Sequence, residues 1–275
     1  MPHFHPIFVS ERIAPEPGYF DIAAMARGEP AVPRAFVWRG QRYDVAQTRA
    51  AKRTLGSDRG DTYLRRHYFD VETTDALRMS LYFERNPSDR SKPKAWWLYT
   101  YTHPEPEIET PRLLLRRWTY ADRDAFARMT QDPDVMRYMH DSVPLSDREV
   151  DAALASTIER YEQLGFGDWA LVERETNEIL GESGLGKLEG RTDIEIGWML
   201  LPRHWGKGYA FEAASAVKEH ARSVIGLRHL VALTRPDNAR SIDLAGRLGL
   251  REAGRLVHLG HEMLKFEVDL AGTPV

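Results

Sequence analysis

Two glycines flank a lysine in the stretch Trp205-Gly206-Lys207-Gly208-Tyr209-Ala210, and no other stretch constrains the chain as much. A strand is predicted before it, from Glu195 to Leu201, and a helix after it, from Tyr209 to about Arg222. Glycine carries no Cβ, so a loop of this kind lets the backbone come close to a ligand. The first turn of the following helix has unpaired N–H groups and about half a positive charge. An anion such as a pyrophosphate is well held there. A second glycine pattern competes with it. Gly181 to Lys187 reads G-x-x-x-x-G-K, close to a nucleotide-binding P-loop. Leu188 stands where that loop needs a hydroxyl for magnesium, and a polar turn and a strand follow instead of a helix. Its glycines are expected to be strand-end turns.

The 275 residues suffice for one large or two modest domains. An apolar fraction of 42% and a charged fraction of 29% are those of a globular protein in water. No apolar run approaches the ~20 residues of a membrane span, and the N-terminus lacks the order of a secretory signal. No membrane partner is expected, and the cytoplasm is the expected compartment. The absence of cysteine excludes disulfides, thiolate metal sites and a cysteine nucleophile. The net charge of -3 is unevenly spread: residues 34–94 carry 14 basic against 8 acidic side chains, a net of +6.

That basic segment is also rich in aromatics and short strand signals. Ala35 to Trp38, Arg42 to Gln47, Tyr63 to Val71, Leu77 to Phe83 and Trp96 to Tyr101 alternate as strands do. Lys52 to Asp61 and Arg85 to Lys94 read as polar, basic loops. We expect a small antiparallel β-barrel or meander domain over 34–103, after an N-terminal extension (1–33) holding one short helix, Tyr19 to Arg27. Basic loops with exposed aromatics suit RNA or ribosome contact; a domain-packing module is the other reading. Residues 104–108, with Pro104 and Pro106, read as a semi-rigid linker. From 109 to 275, strand and helix signals alternate. Ser146-Asp147-Arg148-Glu149 is a capping box, opening a helix whose apolar face runs Val150, Leu154, Ile158, Tyr161 and Leu164 before Gly165.

Four stretches in this second half carry a family resemblance. They are Thr110-Pro111-Arg112-Leu113-Leu114-Leu115-Arg116, Glu195-Ile196-Gly197-Trp198, Trp205 through Ala213, and Asn238-Ala239-Arg240-Ser241 with Leu248-Gly249-Leu250. In this order and spacing, residues 109 to about 270 resemble the general N-acetyltransferase superfamily, GNAT. The closer match is its RimJ/RimL-like branch, which includes enzymes acetylating N-terminal residues of ribosomal proteins. The basic half is similar to a short domain of unknown function that opens W-x-G-x-x-Y-x-V (Trp38, Gly40, Tyr43, Val45); this likeness implies no activity.

The resemblance implies an α+β fold with a mixed, splayed central sheet flanked by helices, acetyl-CoA as acetyl donor, and no metal. The family's phosphate pattern, Q/R-x-x-G-x-G/A, fits with Trp205, Gly208 and Ala210 at its fixed positions; Arg203, Gly206 and Gly208 offer another register. By the same likeness, backbone groups of Met199 and Leu200 pair with the pantetheine amides, the loop Trp205, Gly206, Lys207, Gly208, Tyr209 and Ala210 holds the pyrophosphate, and Asn238 contacts the donor's arm or caps a helix. The acceptor is an amine on a protein, a peptide or a small molecule, with a protein or peptide α-amine first, and a small-molecule or antibiotic amine second. A non-catalytic acyl-CoA-binding module is the remaining alternative.

Acetyl transfer to an amine needs a base, a donor for the oxyanion and a proton for the leaving thiolate. A primary amine is mostly protonated at pH 7, so a general base contributes ~10²–10⁴-fold. Glu195 matches the family's glutamate before I-G-Y/W. Strand alternation puts Glu195 and Gly197 on one face and Ile194 and Ile196 on the other. An N–H near Met199 or Leu200 would hold the oxyanion. Many relatives place a tyrosine acid seven residues after the asparagine, but Ala245 stands there; Ser241 matches the serine that some RimL-type enzymes use instead.

Overall fold

The computed structural model describes residues 4–16, 30–58, 61–84, 95–139, 142–188 and 190–271. The chain divides into two compact units between Glu105 and Pro106. The expected helix from Tyr19 to Arg27 and the basic segment from Arg85 to Lys94 lie outside the described residues.

The first unit is a closed antiparallel barrel of six strands: β1 (Ile7–Pro15), β2 (Ala35–Trp38), β3 (Gln41–Asp58), β4 (Asp61–Thr73), β5 (Arg78–Glu84) and β6 (Ala95–Thr102). β1 pairs with both β2 and β6 and so closes the ring. This corrects the expected extension over residues 1–33, because residues 7–15 are part of the barrel wall. β1 hides in the sequence because its outer positions are polar or half-exposed while Ile13 alone is deeply buried. The expected loop from Lys52 to Asp61 is likewise corrected: β3 and β4 run on as a long hairpin from Val45↔Thr73 to Asp58↔Asp61. Between β2 and β3, Arg39 (φ 50°) and Gly40 (φ 81°) make a two-residue turn with both central φ positive, the geometry that matches strand twist. Phe36, Val71, Leu77, Met79, Leu81, Trp96 and Leu98 fill the interior.

The second unit is an eight-stranded sheet in the order β13-β14-β12-β11-β10-β9-β8-β7. Its strands are β7 (Ile108–Glu109), β8 (Leu113–Arg117), β9 (Asp168–Glu173), β10 (Ile179–Lys187), β11 (Ile194–Leu200), β12 (His229–Thr234), β13 (Arg251–His258) and β14 (His261–Asp269). All neighbours are antiparallel except β11 and β12. The longer helices are α1 (Arg123–Thr130), α2 (Asp147–Leu164), α3 (Tyr209–His220) and α4 (Ala239–Arg247), with one short turn of helix at Pro133–Met136. α2 starts at the capping box, where Glu149 accepts the Ser146 N–H at 2.8 Å, and stops at Gly165 with φ 75°.

The sheet separates two cores. On one face Leu113, Leu115, Trp169, Leu171, Ile196, Leu200, Leu230 and Ala232 pack against Ala213, Ala214 and Val217 of α3 and Leu244 and Ala245 of α4. On the other, Trp118, Ala170, Met199 and Leu201 pack against Phe126 of α1 and Val150, Leu154 and Ile158 of α2. Gly181 to Gly186 lie inside β10, not at turns beyond a strand end as expected. The reason is close approach: a Cβ on Gly184 would sit 2.3 Å from Asp168 Cα, and one on Gly181 would meet the Met199 carbonyl.

The turn from β8 into α1 is fixed by a buried ion pair. Arg116 donates from Nη1 to Asp122 Oδ2 and from Nη2 to Asp122 Oδ1, each at 2.8 Å, and Asp122 also accepts the Thr119 N–H at 2.9 Å. Both side chains are under 5% exposed. Removing one partner strands the other charge, at a cost of about 3–5 kcal/mol. Arg116→Ala is therefore expected to lower the urea midpoint of this unit's transition sharply, while the Arg116→Met, Asp122→Leu double replacement recovers much of the loss.

Candidate active site

Helix α3 begins at the glycine loop, and the loop has the geometry of an anion cradle. Gly206 and Gly208 take φ of 73° and 84°, a region costly for side chains. Gly208 is the N-cap, with no side chain capping it. The first intrahelical bond runs from Glu212 N–H to Gly208 C=O, so the amides of Tyr209, Ala210 and Phe211 have no acceptor within the helix. Nothing stands within 4 Å of where a Cβ on Gly206 would be. These features fit a pyrophosphate, which needs close, converging N–H groups.

Arg112 braces this loop from the β7–β8 turn. Its Nε donates to Glu212 Oε2 at 2.6 Å, its Nη1 donates to the Lys207 carbonyl at 3.0 Å, and its guanidinium lies 4.2 Å above the Tyr209 ring. Thr110 O–H donates to the other Glu212 oxygen at 2.6 Å. Burial alone would raise the Glu212 pKa, but the bonds from Thr110 and Arg112 outweigh it and hold the carboxyl below its usual range. Trp205 works from the other side. Its indole N–H donates to the Leu200 carbonyl at 2.7 Å, and Arg240 of α4 covers its ring at 4.7 Å.

The sheet opens beside this loop. β11 and β12 share one pairing, Glu195↔Val231, whereas β10 follows β11 along seven residues. Leu201 N–H donates to Leu180 C=O at 3.0 Å in the same register, which fixes the phase of the ladder. The peptide groups of Glu195, Gly197 and Met199 turn to β10; those of Trp198 and Leu200 turn to the side that β12 has left. The expected Met199–Leu200 pair is thus placed differently by the pleat. Met199 is engaged with Glu182 of β10, and Leu200 C=O with Trp205. Trp198 N–H, Trp198 C=O and Leu200 N–H face the opening.

Glu195 sits where the strands part. Its Oε1 accepts Leu233 N–H at 3.2 Å. In a continued parallel ladder that N–H would meet the Ile196 carbonyl, so the carboxyl stands in for a missing rung. Burial pushes the Glu195 pKa up to about 7; the Leu233 N–H works against this and the nearby Asp168 charge adds to it.

Sequence reading missed the company Glu195 keeps. The registers Asp168↔Gly184↔Gly197, Ala170↔Glu182↔Met199 and Gly186↔Glu195 place Asp168, Glu182 and Glu195 on the α1/α2 face of the sheet. Gly184, Gly186 and Gly197 form a bare floor among them, and a Cβ on Gly186 or Gly197 would touch nothing within 4 Å. Burial raises the pKa of Asp168 and of Glu182, and Asp168 raises Glu182 further; Arg160 opposes both, and Trp118 Nε1 donates to Glu182 at 3.1 Å. The signal was an acidic residue alternating with glycines in Glu182-Ser183-Gly184-Leu185-Gly186, legible only once strand faces are known.

Asn238 and Ser241 lie together at the start of α4. Asn238 Oδ1 accepts the Ser241 N–H at 3.2 Å and caps the helix. Ala245 is buried in the core under α4.

Comparison with known proteins agrees with this geometry. Residues 112–251 match the acetyltransferase (GNAT) domain family, and residues 5–103 match a domain of unknown function, DUF6504. An uncharacterised N-acetyltransferase, p20 of Bacillus licheniformis, is 30% identical over 151 residues, which span 54% of this chain and 84% of p20. Among solved structures, RimL, a ribosomal L7/L12 alpha-N-protein acetyltransferase in complex with coenzyme A, superposes with a TM-score of 0.51 at 18% identity, covering 58% of this chain and 95% of RimL. A spermidine N-acetyltransferase from Vibrio cholerae, with CoA and spermine, gives 0.51 at 15% identity, covering 59% and 98%. Such low identities show a shared fold. With half of its length matched to the family, and with the glycine cradle and parted strands in place, the chain belongs to the GNAT acetyltransferases, acyltransferases that use acetyl-CoA.

Proposed function

We propose that the chain acetylates the α-amine of a protein or peptide in the cytoplasm, along RimJ/RimL-like lines, with direct transfer from acetyl-CoA. The observation that carries the reading is the opening of β11 from β12 over Glu195, next to the glycine cradle. Bound acetyl-CoA supplies the acetyl thioester. The backbone amides of Gly206 through Ala210 hold its pyrophosphate, with Lys207 adding charge at the loop. Trp198 and Leu200 offer the pantetheine arm the N–H and C=O groups that β12 would otherwise take. Trp205 holds the end of β11 in place through Leu200, and Asn238 keeps α4 started beside the loop.

Glu195 is the proposed general base for the proton that the acceptor amine sheds as it attacks. A carboxyl near pKa 7 is half ionised at neutral pH and matches the proton it must take. Asp168 and Glu182 give the acceptor side a wall of carboxyl oxygens that can accept hydrogen bonds from an amine. Ser241 Oγ is the proposed hydrogen-bond donor to the leaving sulfur, in place of the tyrosine that Ala245 replaces. The same wall would accept a small polyamine, the second reading. The basic surplus of the first unit supports a further part of this proposal, contact with RNA or the ribosome that brings the transferase to protein substrates.

Transfer assays on peptides with free α-amines, polyamines and aminoglycosides separate the readings. Turnover on peptides at least ten times that on the small amines is expected; the reverse ranking would replace the α-amine reading by the polyamine one. For a peptide acceptor, kcat/KM is expected to rise with pH through about 7 as Glu195 loses its proton, with a second rise from the α-amine near ~8. In Glu195→Gln, kcat falls by ~10²–10⁴-fold and only the upper rise remains; an unchanged lower limb would exclude Glu195 as the base. Arg112→Ala unties Lys207 and Glu212 from the loop, and calorimetry should show CoA binding weakened by about tenfold, as for a loss of ~1.4 kcal/mol, with kcat little changed.

A further inference from the structure

The barrel carries an outward row of aromatic and basic positions that the transfer reaction does not use. Tyr68 of β4 is in register with Tyr82 of β5, Tyr82 with Trp97 of β6, and Trp97 with Arg12 of β1. Directly paired residues project from the same side of a sheet. The alternating neighbours Phe69, Leu81, Trp96, Leu98 and Ile13 are buried inside the barrel, so the rings of Tyr68, Tyr82 and Trp97 stand on its outer surface.

The rings form one cluster. Tyr82 and Trp97 are parallel within 2° at 5.9 Å, and Tyr68 lies 5.4 Å from Tyr82. Tyr99 meets Tyr68 edge-on at 5.6 Å and Phe8 at 5.3 Å. Arg66 lies 4.8 Å above Tyr82. Tyr82 is covered by its neighbours, but Phe8 is 66% and Tyr99 36% exposed. Such rings on a wall facing water are costly unless something covers them. The surrounding charge says what. Of the acidic side chains described on these strands, Glu84 is held by Arg66, Glu72 by Arg49, Glu11 by Arg39 and Asp44 by Arg42, while Asp70 is exposed. Arg12 is exposed at one end of the row, Arg66 covers Tyr82 within it, and the sequence from Arg34 to Lys94 has a net of +6.

We propose that this face binds single-stranded RNA, with bases stacking on Phe8, Tyr99 and Trp97 and the phosphates running past the basic end of the row at Arg12. Stacking accepts any base, because every base presents a π face. The Tyr99 hydroxyl, at the exposed rim, suits a ribose 2′-hydroxyl, which DNA lacks. The proposal rests on the RNA-contact part of the reading above and not on the transfer chemistry.

The test uses the full chain and a fluorescein-labelled RNA of ~12 nucleotides, a length within single-stranded site sizes. Anisotropy is followed from about 50 to 200 mM KCl, with a DNA of the same sequence and an RNA hairpin beside it, and acetyl transfer is assayed on the same samples. Binding to the single-stranded RNA is expected, tighter than to DNA or hairpin. Phe8→Ala with Tyr99→Ala should weaken it about tenfold or more at every salt concentration. Arg12→Ala should reduce the log–log salt slope by about 0.7. Turnover should be unchanged in both variants. If the double variant melts early, Phe8→Ala alone, at a position two-thirds in solvent, still reports on stacking. No binding at low salt, unchanged affinity in these variants, or tighter binding of DNA overturns the proposal. RNA binding without any acetyl transfer would instead sink the transfer reading and leave this surface standing.

Discussion

The second unit depends on one departure from regularity: a parallel pair of strands that stays together for a single pairing and then parts. Parallel ladders are normally continuous, because each unpaired N–H or C=O in a sheet interior is costly. Here the cost is limited in three ways. Glu195 takes the Leu233 N–H, Trp205 takes the Leu200 carbonyl, and the β11 groups left over, the carbonyls of Ile196 and Trp198 and the N–H groups of Trp198 and Leu200, face the gap. A ligand with amides of its own completes the sheet. The crossover helix α3 must leave the end of β11 and return to β12, so its N-terminus comes to the mouth of the gap by topology. Backbone donors for an arm and backbone donors for a phosphate thus arise from the same connection.

The carboxylates on the α1/α2 face are the expensive part of this arrangement. Burial without full compensation raises all three pKa values, so the folded unit holds protons that the unfolded chain would release. Its stability from these groups is present at low pH and declines as pH rises through their folded values, near about 7 for Glu195. Elsewhere in the unit, buried charge is paired closely, as Arg116 with Asp122. The contrast between a closely paired charge and a cluster of carboxyls raised by burial makes the cleft the functional-site candidate.

Much of this was legible in the sequence, and unevenly so. Local rules read well: the capping box at Ser146, the stop at Gly165 and the strand before the glycine loop all fall where propensity and patterning put them. Glu195 stood out through the family's motif. What failed depended on pairing partners. β1 has too little alternation to declare itself, and only β2 and β6 make it a strand. The glycines of β10 resemble turn residues until the neighbouring strands show how close the backbones come. Position in the family's motif points to Met199 and Leu200, whereas ladder phase, which no single sequence states, turns the open groups to Trp198 and Leu200. Arg112 lies within a stretch that matches the family, yet its bond to Lys207 spans 95 residues.

The central claim is that the gap beside β11 receives the donor's arm through Trp198 and Leu200. Amide hydrogen exchange resolved at these two residues, with and without coenzyme A, tests it most directly. The account predicts that both amides gain strong protection on binding, while Gly197 and Met199, already facing β10, change little. Protection confined to the glycine loop, with Trp198 and Leu200 exchanging as before, would contradict it.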